Sequence, residues 1–418
     1  MGPRRSDGVG PRRSDGVGPR PSDPARPQPS DGVATRPSTL AASTPPLGNV
    51  LAEWGRIGCI GFGGPPAHIA LLRQLCVERR RWIADRDFED ALAACNLLPG
   101  PASTQMAIYC GWSVRGRLGA VVGGLAFVVP GLAVIVGLAA IFLAASPPRW
   151  IVGAGAGGGA AVAAVALQAG SGLLPASWRR STAKARWAVY LAAGALAAAT
   201  VGPWVVLVLL GCGVAEIAVR TLERGPAPAI APIAATLVAG GKLLSLAWVA
   251  FKVGALSYGG GFVIIPLMQS DAVDRHHWMT DGQFLDAVAL GQITPGPVVH
   301  TVAVVGYAAA GVGGALLAAA VAFAPSFAFI LLGAARFDRL REDRRARAFL
   351  DGAGPAAIGA ILGSAVPLAE ALSEAWQYAV LAAATILLVV LRRGVVTTLL
   401  AAAATGVVVA LAGGPLPG

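Results

Sequence analysis

The chain has 418 residues, of which 55% are hydrophobic and only 13% charged, and its mean hydropathy is +0.65. A soluble domain is about a quarter charged, so this composition excludes a globule whose surface faces water. The formal net charge of +11 would suit a nucleic-acid binder, but the arginines sit in short segments between apolar runs, as orientation in a bilayer requires, and form no single basic face for phosphate. Lipid is the expected surrounding, and no nucleic-acid partner is expected.

Residues 1–46 hold a repeated octad, GPRRSDGV at Gly2 and again at Gly10, followed by Pro-, Ser- and Arg-rich sequence without apolar periodicity. Such a segment cannot bury enough apolar surface to order itself, so a disordered tail is expected. It lacks the continuous apolar core of a cleavable signal peptide, which leaves targeting to the first membrane segment.

Beyond the tail, residues 118–148, 150–178, 187–215 and 287–335 contain no Asp, Glu, Lys or Arg. About 20 apolar residues cross the hydrocarbon core as a helix, so each stretch holds at least one span. The 55 Gly and 30 Pro are expected where helices pack closely or break inside a bundle. Cys59, Cys76, Cys95, Cys110 and Cys212 lack metal-ligand spacing and are odd in number, so they read as packing residues with neither a disulfide framework nor a metal site.

Sliding the chain against itself by 196 residues lays Arg56 to Val128 on Lys252 to Ala324 without a gap. The matches include Gly58 with Gly254, Gly63-Gly64 with Gly259-Gly260, Trp82 with Trp278, Asp85 with Asp281, Asp90 with Asp286, and Pro99-Gly100-Pro101 with Pro295-Gly296-Pro297. Apolar bias alone does not align Gly, Pro, Trp and Asp, so the chain is an internal duplication. Its expected organisation is a tail (1–46), an N-terminal repeat (47–224) and a C-terminal repeat (225–418).

Equivalent loops carry opposite charge bias. Arg73, Arg79, Arg80, Arg81 and Arg86 face a counterpart with Arg275, His276 and His277, whereas the basic stretch from Arg336 to Arg347 faces one with only Arg149. Opposite bias predicts inverted-topology repeats. With about six hydrophobic segments per half, inversion requires one segment in each to enter and return on the same side, and the segment broken at Pro-Gly-Pro is the natural one.

Two pairs of motifs interrupt helices where a membrane helix should continue: GFGGPP (Gly61 to Pro66) with SYGGGF (Ser257 to Phe262), and NLLPGP (Asn96 to Pro101) with QITPGP (Gln292 to Pro297). From Asp85 to Pro99 a helix rises about 21 Å, well into a bilayer. A half-helix starting after each Pro-Gly-Pro aims free N–H groups and partial positive charge at the break, and two such ends facing one another make an anion site. Ser103, Thr104 and Gln105 follow the first break, and His300 and Thr301 the second; together with Thr294 and Ser257 they can donate to an oxyanion. The alternative is ordinary kinking, with the hydroxyls bonded back to their own helices.

Arg56 and Lys252 match in the repeat and precede the glycine motifs. They read either as cations compensating a divalent anion or as side chains snorkelling to an interface. Asp90 and Asp286 are candidates for proton coupling, against the commoner role of an acid in the first turns of a helix. His68 faces Ile264 in the alignment and so reads as packing rather than as a relay.

In these residues the sequence resembles the chromate ion transporter family in its long, two-domain form. The resemblance is carried by Gly61-Phe62-Gly63-Gly64-Pro65, Leu98-Pro99-Gly100-Pro101, Lys252 through Gly254 and Ser257 to Gly261, and Thr294-Pro295-Gly296-Pro297. It implies a multi-pass protein of the bacterial inner membrane that exports chromate from the cytoplasm and confers chromate resistance. Sulfate, also a tetrahedral dianion, is the look-alike substrate.

The expected fold class is therefore an all-α polytopic membrane protein of two inverted repeats with broken or re-entrant helices. No GxxxxGK[ST] loop occurs, so energy comes from a gradient or exchange and no cofactor is expected. A passive channel shares the architecture, and a membrane-embedded enzyme is disfavoured by four His in all and no GxSxG. A homodimer is the candidate self-association.

Overall fold

The computed structural model describes residues 45–96, 98–200, 205–222, 241–257, 264–334, 337 and 343–417, so residues 1–44 of the tail lie outside the described residues. All regular structure among them is helical. Five of these helices are long and apolar enough to cross a membrane, and the protein is a multi-pass membrane protein.

The first half opens with α1 (Leu47–Ile60) and α2 (Gly64–Arg73), the latter ending in a π-helical turn, Gln74–Arg79. Then come α3 (Asp85–Cys95), α4 (Ala102–Phe142), α5 (Arg149–Ala160), α6 (Val162–Arg180), α7 (Lys184–Thr200) and α8 (Val205–Leu222).

The second half repeats the plan. It runs through α9 (Lys242–Leu256), α10 (Ile265–Gln269) with a π turn Ser270–Arg275, α11 (Asp281–Ile293), a 3₁₀ turn Val298–His300 and α12 (Thr301–Gly333). It ends with α13 (Arg344–Gly363), α14 (Ala365–Glu370), α15 (Ala375–Thr385) and α16 (Val395–Leu411).

The duplication reaches individual hydrogen bonds. After the π turns, Arg80 N and Trp82 N donate to Leu75 O and Cys76 O, and His276 N and Trp278 N donate to Asp271 O and Ala272 O. Between these donors Arg81 (φ 51°) and His277 (φ 48°) take the left-handed conformation. Arg73 bonds Asp85 as Gln269 bonds Asp281.

Each long central helix is a hairpin. Within α4, Arg115 and Gly116 leave helical geometry, with Gly116 at φ 63°, ψ −151°. A Cβ on Gly111 would run into the Gly119 carbonyl, and one on Gly119 into that of Gly111. Residues eight apart on a straight helix are about 12 Å apart, so the chain turns back at Gly116. Ala310-Gly311 and the pair Gly306 and Gly314 repeat the device in α12.

Residues 102–114 thus return along α3, where Tyr109 comes within electrostatic range of Asp87. The segments before α3 fold back as well: Glu53 of α1 meets Arg80 just after the π turn, and Trp54 stacks on Trp82 at 6.2 Å. In the first half α1 with α2, and α3 with the start of α4, thus each fold back on themselves. The glycine motif gives α1 a second apex: Gly63 and Gly64 have φ of 98° and 73°, which only glycine adopts freely.

One register expectation is corrected. Past Pro-Gly-Pro the halves align with one residue fewer than the gapless match, so that Gly116 pairs with Gly311, Pro130 with Pro325, Gly131 with Ser326 and Gln105 with His300. The 3₁₀ turn Val298–His300, tighter than the α-helical start at Ala102, absorbs the difference.

The halves are inverted. Arg186 at the start of α7 and Arg220 at the end of α8 share Glu216, and Arg220 reaches Asp351 in α13. These ends, with Arg179, Arg180, Arg344 and Arg345, define one arginine-rich side. On the other side Arg149 at the start of α5 bonds Gly414 beyond α16, and Trp376 of α15 bonds Pro415. The second stretch of α4 leads to this other side, whereas that of α12 leads towards Arg344. Small residues close the bundle: a Cβ on Gly194, Gly359, Gly153 or Gly406 would collide with a facing backbone carbonyl, as expected where helices associate without a hydrophobic drive.

Candidate functional site

Each Pro-Gly-Pro break docks on the glycine-motif end of the opposite half. Gly100 N donates to Ser257 O at 2.9 Å, and Gly296 N donates to Gly61 O at 3.0 Å. Gly100 matches Gly296 and Gly61 matches Ser257, so the two bonds are pseudo-symmetric copies that tie the four broken segments together. Gly100 (φ 121°) and Gly296 (φ 101°) both need positive φ. Gly100 also leaves no room for a Cβ, which would lie 2.6 Å from Gln105 Nε2 and 3.1 Å from Ser326 Oγ. On the other break a Cβ on Gly131 would strike the Pro295 carbonyl.

Around these bonds lie buried polar atoms that find no hydrogen-bond partner: Ser103 Oγ, Thr104 Oγ1, Gln105 Oε1, Ser257 Oγ, Gln292 Nε2, Ser326 Oγ and His68 Nδ1, with His300 beside the Val128 backbone. Buried polar groups in folded proteins are nearly always paired. Such a collection at two helix breaks is suited to a polar guest.

The remaining predicted residues divide. Asn96 caps α3 and Pro99 is exposed beside it, with Pro101 buried behind; Pro99 O accepts from Gln105 Nε2. Pro297 leads into the 3₁₀ turn. The hydroxyls of Thr294 and Thr301 donate to Leu290 O and Val298 O of their own turns, the local bonding that competes with a ligand role. Gly259 and Gly260 lie outside the described residues.

The matched cations separate. Arg56 is exposed, on the face of α1 opposite the one bearing Trp54 and Ile57, and it is not brought to the breaks. Lys252 is ion-paired with Asp271, which is buried. Asp90 lies 3.9 Å from Arg86 on the surface of α3, whereas Asp286 is pressed against α5, where a Cβ on Gly155 would lie 2.6 Å from its carboxylate oxygens.

Two site residues were not legible as such. His68 is fully buried, with Nε2 at 2.8 Å from the same Gly61 carbonyl that accepts from Gly296. Ser326 faces Gly100. A fold-back at Gly63-Gly64 is the signal that would have brought His68, five residues later, to the break.

A cavity of about 720 Å³ leads to the first break. At its mouth stand Arg180, Arg186, Arg220 and Arg347 with Glu89, Glu216 and Asp351; its inner end is formed by Asn96, Leu98, Gly100 and Ala102. Glu216, 2% exposed, takes bonds from Arg186, Arg220 and Tyr190, which fixes both guanidinium groups along the wall.

A family model described as chromate transporter matches residues 48–217 and 244–407, so each half carries one copy of the match. The chain belongs to the chromate transporter family. It is 35% identical over 342 residues to a chromate transport protein of Cupriavidus metallidurans, covering 79% of this chain and 84% of the relative. It is 30% identical over 357 residues to a chromate transport protein of Pseudomonas aeruginosa, covering 80% and 84%. An uncharacterized transporter of Methanocaldococcus jannaschii is 27% identical over 71% of this chain and 77% of the relative. No solved structure matches. Relatives named as chromate transport proteins align across both breaks of this chain, as expected of a transporter.

Proposed function

We propose that the protein exports chromate from the cytoplasm across the bacterial inner membrane and so confers chromate resistance. The observation that carries this reading is the reciprocal pair of bonds, Gly100 to Ser257 and Gly296 to Gly61, set among unpartnered buried polar atoms, with a cavity from the arginine-rich side reaching Gly100. Positive-inside orientation makes that side cytoplasmic. An oxyanion enters past Arg186 and Arg220, sheds water at Gly100, and is held by helix ends and by Ser103, Thr104, Gln105, Ser257 and Gln292. Lys252 stabilises the second half through Asp271, and Asp286 acts in the closed contact with α5.

Direction follows from charge. Moving one charge through 100 mV is worth about 2.3 kcal/mol, so a dianion leaving a cell whose interior is negative gains roughly 4.6 kcal/mol. Export of chromate thus draws on the membrane potential itself, and sulfate, of the same charge and shape, is the natural competitor.

The test is uptake of labelled chromate into inside-out vesicles containing the protein, with an imposed interior-positive potential. Accumulation above the external concentration, reduced by excess sulfate, is expected, together with higher chromate tolerance of expressing cells. Accumulation that neither saturates with chromate nor falls with excess sulfate indicates a channel, and no uptake refutes the proposal.

A further inference from the structure

His68 is set apart from the other groups at the breaks by how its two nitrogens are used. Nε2 lies 2.8 Å from Gly61 O, and a carbonyl can only accept, so Nε2 carries the hydrogen. In the neutral ring Nδ1 then bears a lone pair. Nδ1 is buried and has no partner among the described residues, and the ring is fully enclosed, its edge on Phe127 at 5.0 Å.

Among the described residues one titratable neighbour remains. Phe127 of α4 and Gly61 at the end of α1 bring none, and the charge on α1 nearest the break, Arg56, is exposed on the helix's far face. His300, on the 3₁₀ turn of the other half, lies within electrostatic range, edge-on to Phe323 at 5.3 Å. A lone pair on Nδ1 repels an arriving oxyanion oxygen. A proton placed between them turns the repulsion into a charge-assisted hydrogen bond.

We propose that His68 is a substrate-contacting residue that makes oxyanion binding proton-linked: Nδ1 shares one proton with the bound anion, taken up as the anion arrives and given back as it leaves. This rests on the reading of the breaks as the oxyanion site. The proton comes from solvent, or arrives on the anion as its conjugate acid, and no bond other than that to hydrogen is made or broken. The sign follows directly: binding that takes up a proton weakens as pH rises.

Equilibrium binding of labelled chromate and labelled sulfate to the full-length protein in nanodiscs, from about pH 6 to about pH 9, tests it. Sulfate stays a dianion throughout, so its slope reports a proton on the protein alone. Expected for the wild type is an affinity falling about tenfold per pH unit on the alkaline limb for both anions. His68→Gln keeps a donor for Gly61 but cannot take a proton, and is expected to bind with a flat profile. His300→Gln is expected to bind more weakly at every pH yet keep the slope.

A flat wild-type profile, or an unchanged slope in His68→Gln, overturns the inference while leaving the oxyanion site in place. Absence of binding of either anion overturns the site itself. Should the variant fail to insert, proton uptake by the wild type on adding sulfate in weak buffer decides the matter, with about one proton per anion expected and none refuting it.

Discussion

The same pairing across the halves is closed in one copy and open in the other. Leu285, Asp286 and Ala289 of α11, in the second half, lie on Gly155, Gly158 and Gly159 of α5, in the first. Their counterparts in the first half are Glu89, Asp90 and Ala93 of α3, and Glu89 and Ala93 face instead into the cavity, across from Gly354, Pro355 and Ile358 of α13. Because the halves are inverted, the closed contact and the open one lie towards opposite sides of the membrane. Exchanging the two arrangements converts access from one side into access from the other, the mode of transport that inverted repeats support. The breaks at the centre keep their reciprocal bonds in this picture and serve as the pivot.

The largest effect is expected from removing the pivot. Gly100→Ala and Gly296→Ala each force a side chain onto positive φ and into packed neighbours, the new Cβ lying 3.1 Å from Ser326 of the other half at Gly100 and 2.8 Å from His300 at Gly296. Strain at such positions costs on the order of 1–3 kcal/mol, and the new atom displaces the donors. A loss of vesicle uptake by at least about a hundredfold is expected for either variant, in step with misplacement of about an ångström at a working site. Near-normal uptake by both would mean that the breaks do not hold the substrate.

A somewhat smaller and reversible effect should follow from locking the closed contact. A Cβ on Gly158 would stand 3.6 Å from that of Ala289, within the spacing of a disulfide. Gly158→Cys with Ala289→Cys is expected to cross-link on mild oxidation, to stop uptake, and to recover on reduction. Ala93→Cys with Gly354→Cys, across the open gap, should cross-link only during turnover. Equal cross-linking of both pairs at rest would remove the asymmetry.

The architecture was largely legible, and the reasons show where reading stops. Charge-free runs, the duplicated Pro-Gly-Pro and the opposed arginine loops are local or periodic signals, and they led to inverted halves with broken helices. The hairpins at Gly116 and Gly311 were hidden because a single glycine with positive φ inside an apolar run is indistinguishable from a packing glycine until its partner eight residues away is seen. His68 was hidden for the opposite reason: its lack of a repeat counterpart counted against it, although a substrate with no internal symmetry axis imposed on it can be held by unequal groups. Arg56 and Lys252 show the converse error, since matching position does not enforce matching environment.

Those two cations give the next test. Lys252 sits with Asp271, whose side chain is 2% exposed, and removing one member of a buried pair strands the other at a cost of about 3–5 kcal/mol. Lys252→Met alone should lower the level of folded protein and its uptake about tenfold or more, with Lys252→Met/Asp271→Leu recovering much of both. Failure of the double variant to recover would assign Lys252 a role beyond the pair, such as direct contact with the anion.

Arg56 should matter least. In the first half the tie between α1 and the turn after α2 is made by Glu53 and Arg80, with Arg80 also lying over Trp82 at 5.6 Å, so Arg56 has no comparable task. Its exposed guanidinium can reach the headgroup region along the outside of α1, where exchange for a neutral polar residue changes little. Arg56→Gln is therefore expected to keep uptake within about twofold of the wild type, as surface changes away from packed or paired groups do. The comparison with Lys252→Met must be made at equal amounts of inserted protein. A loss as severe as that of Lys252 would show that α1 turns its outer face to the substrate at some stage of transport, and the two halves would then be more alike in function than they are in this conformation.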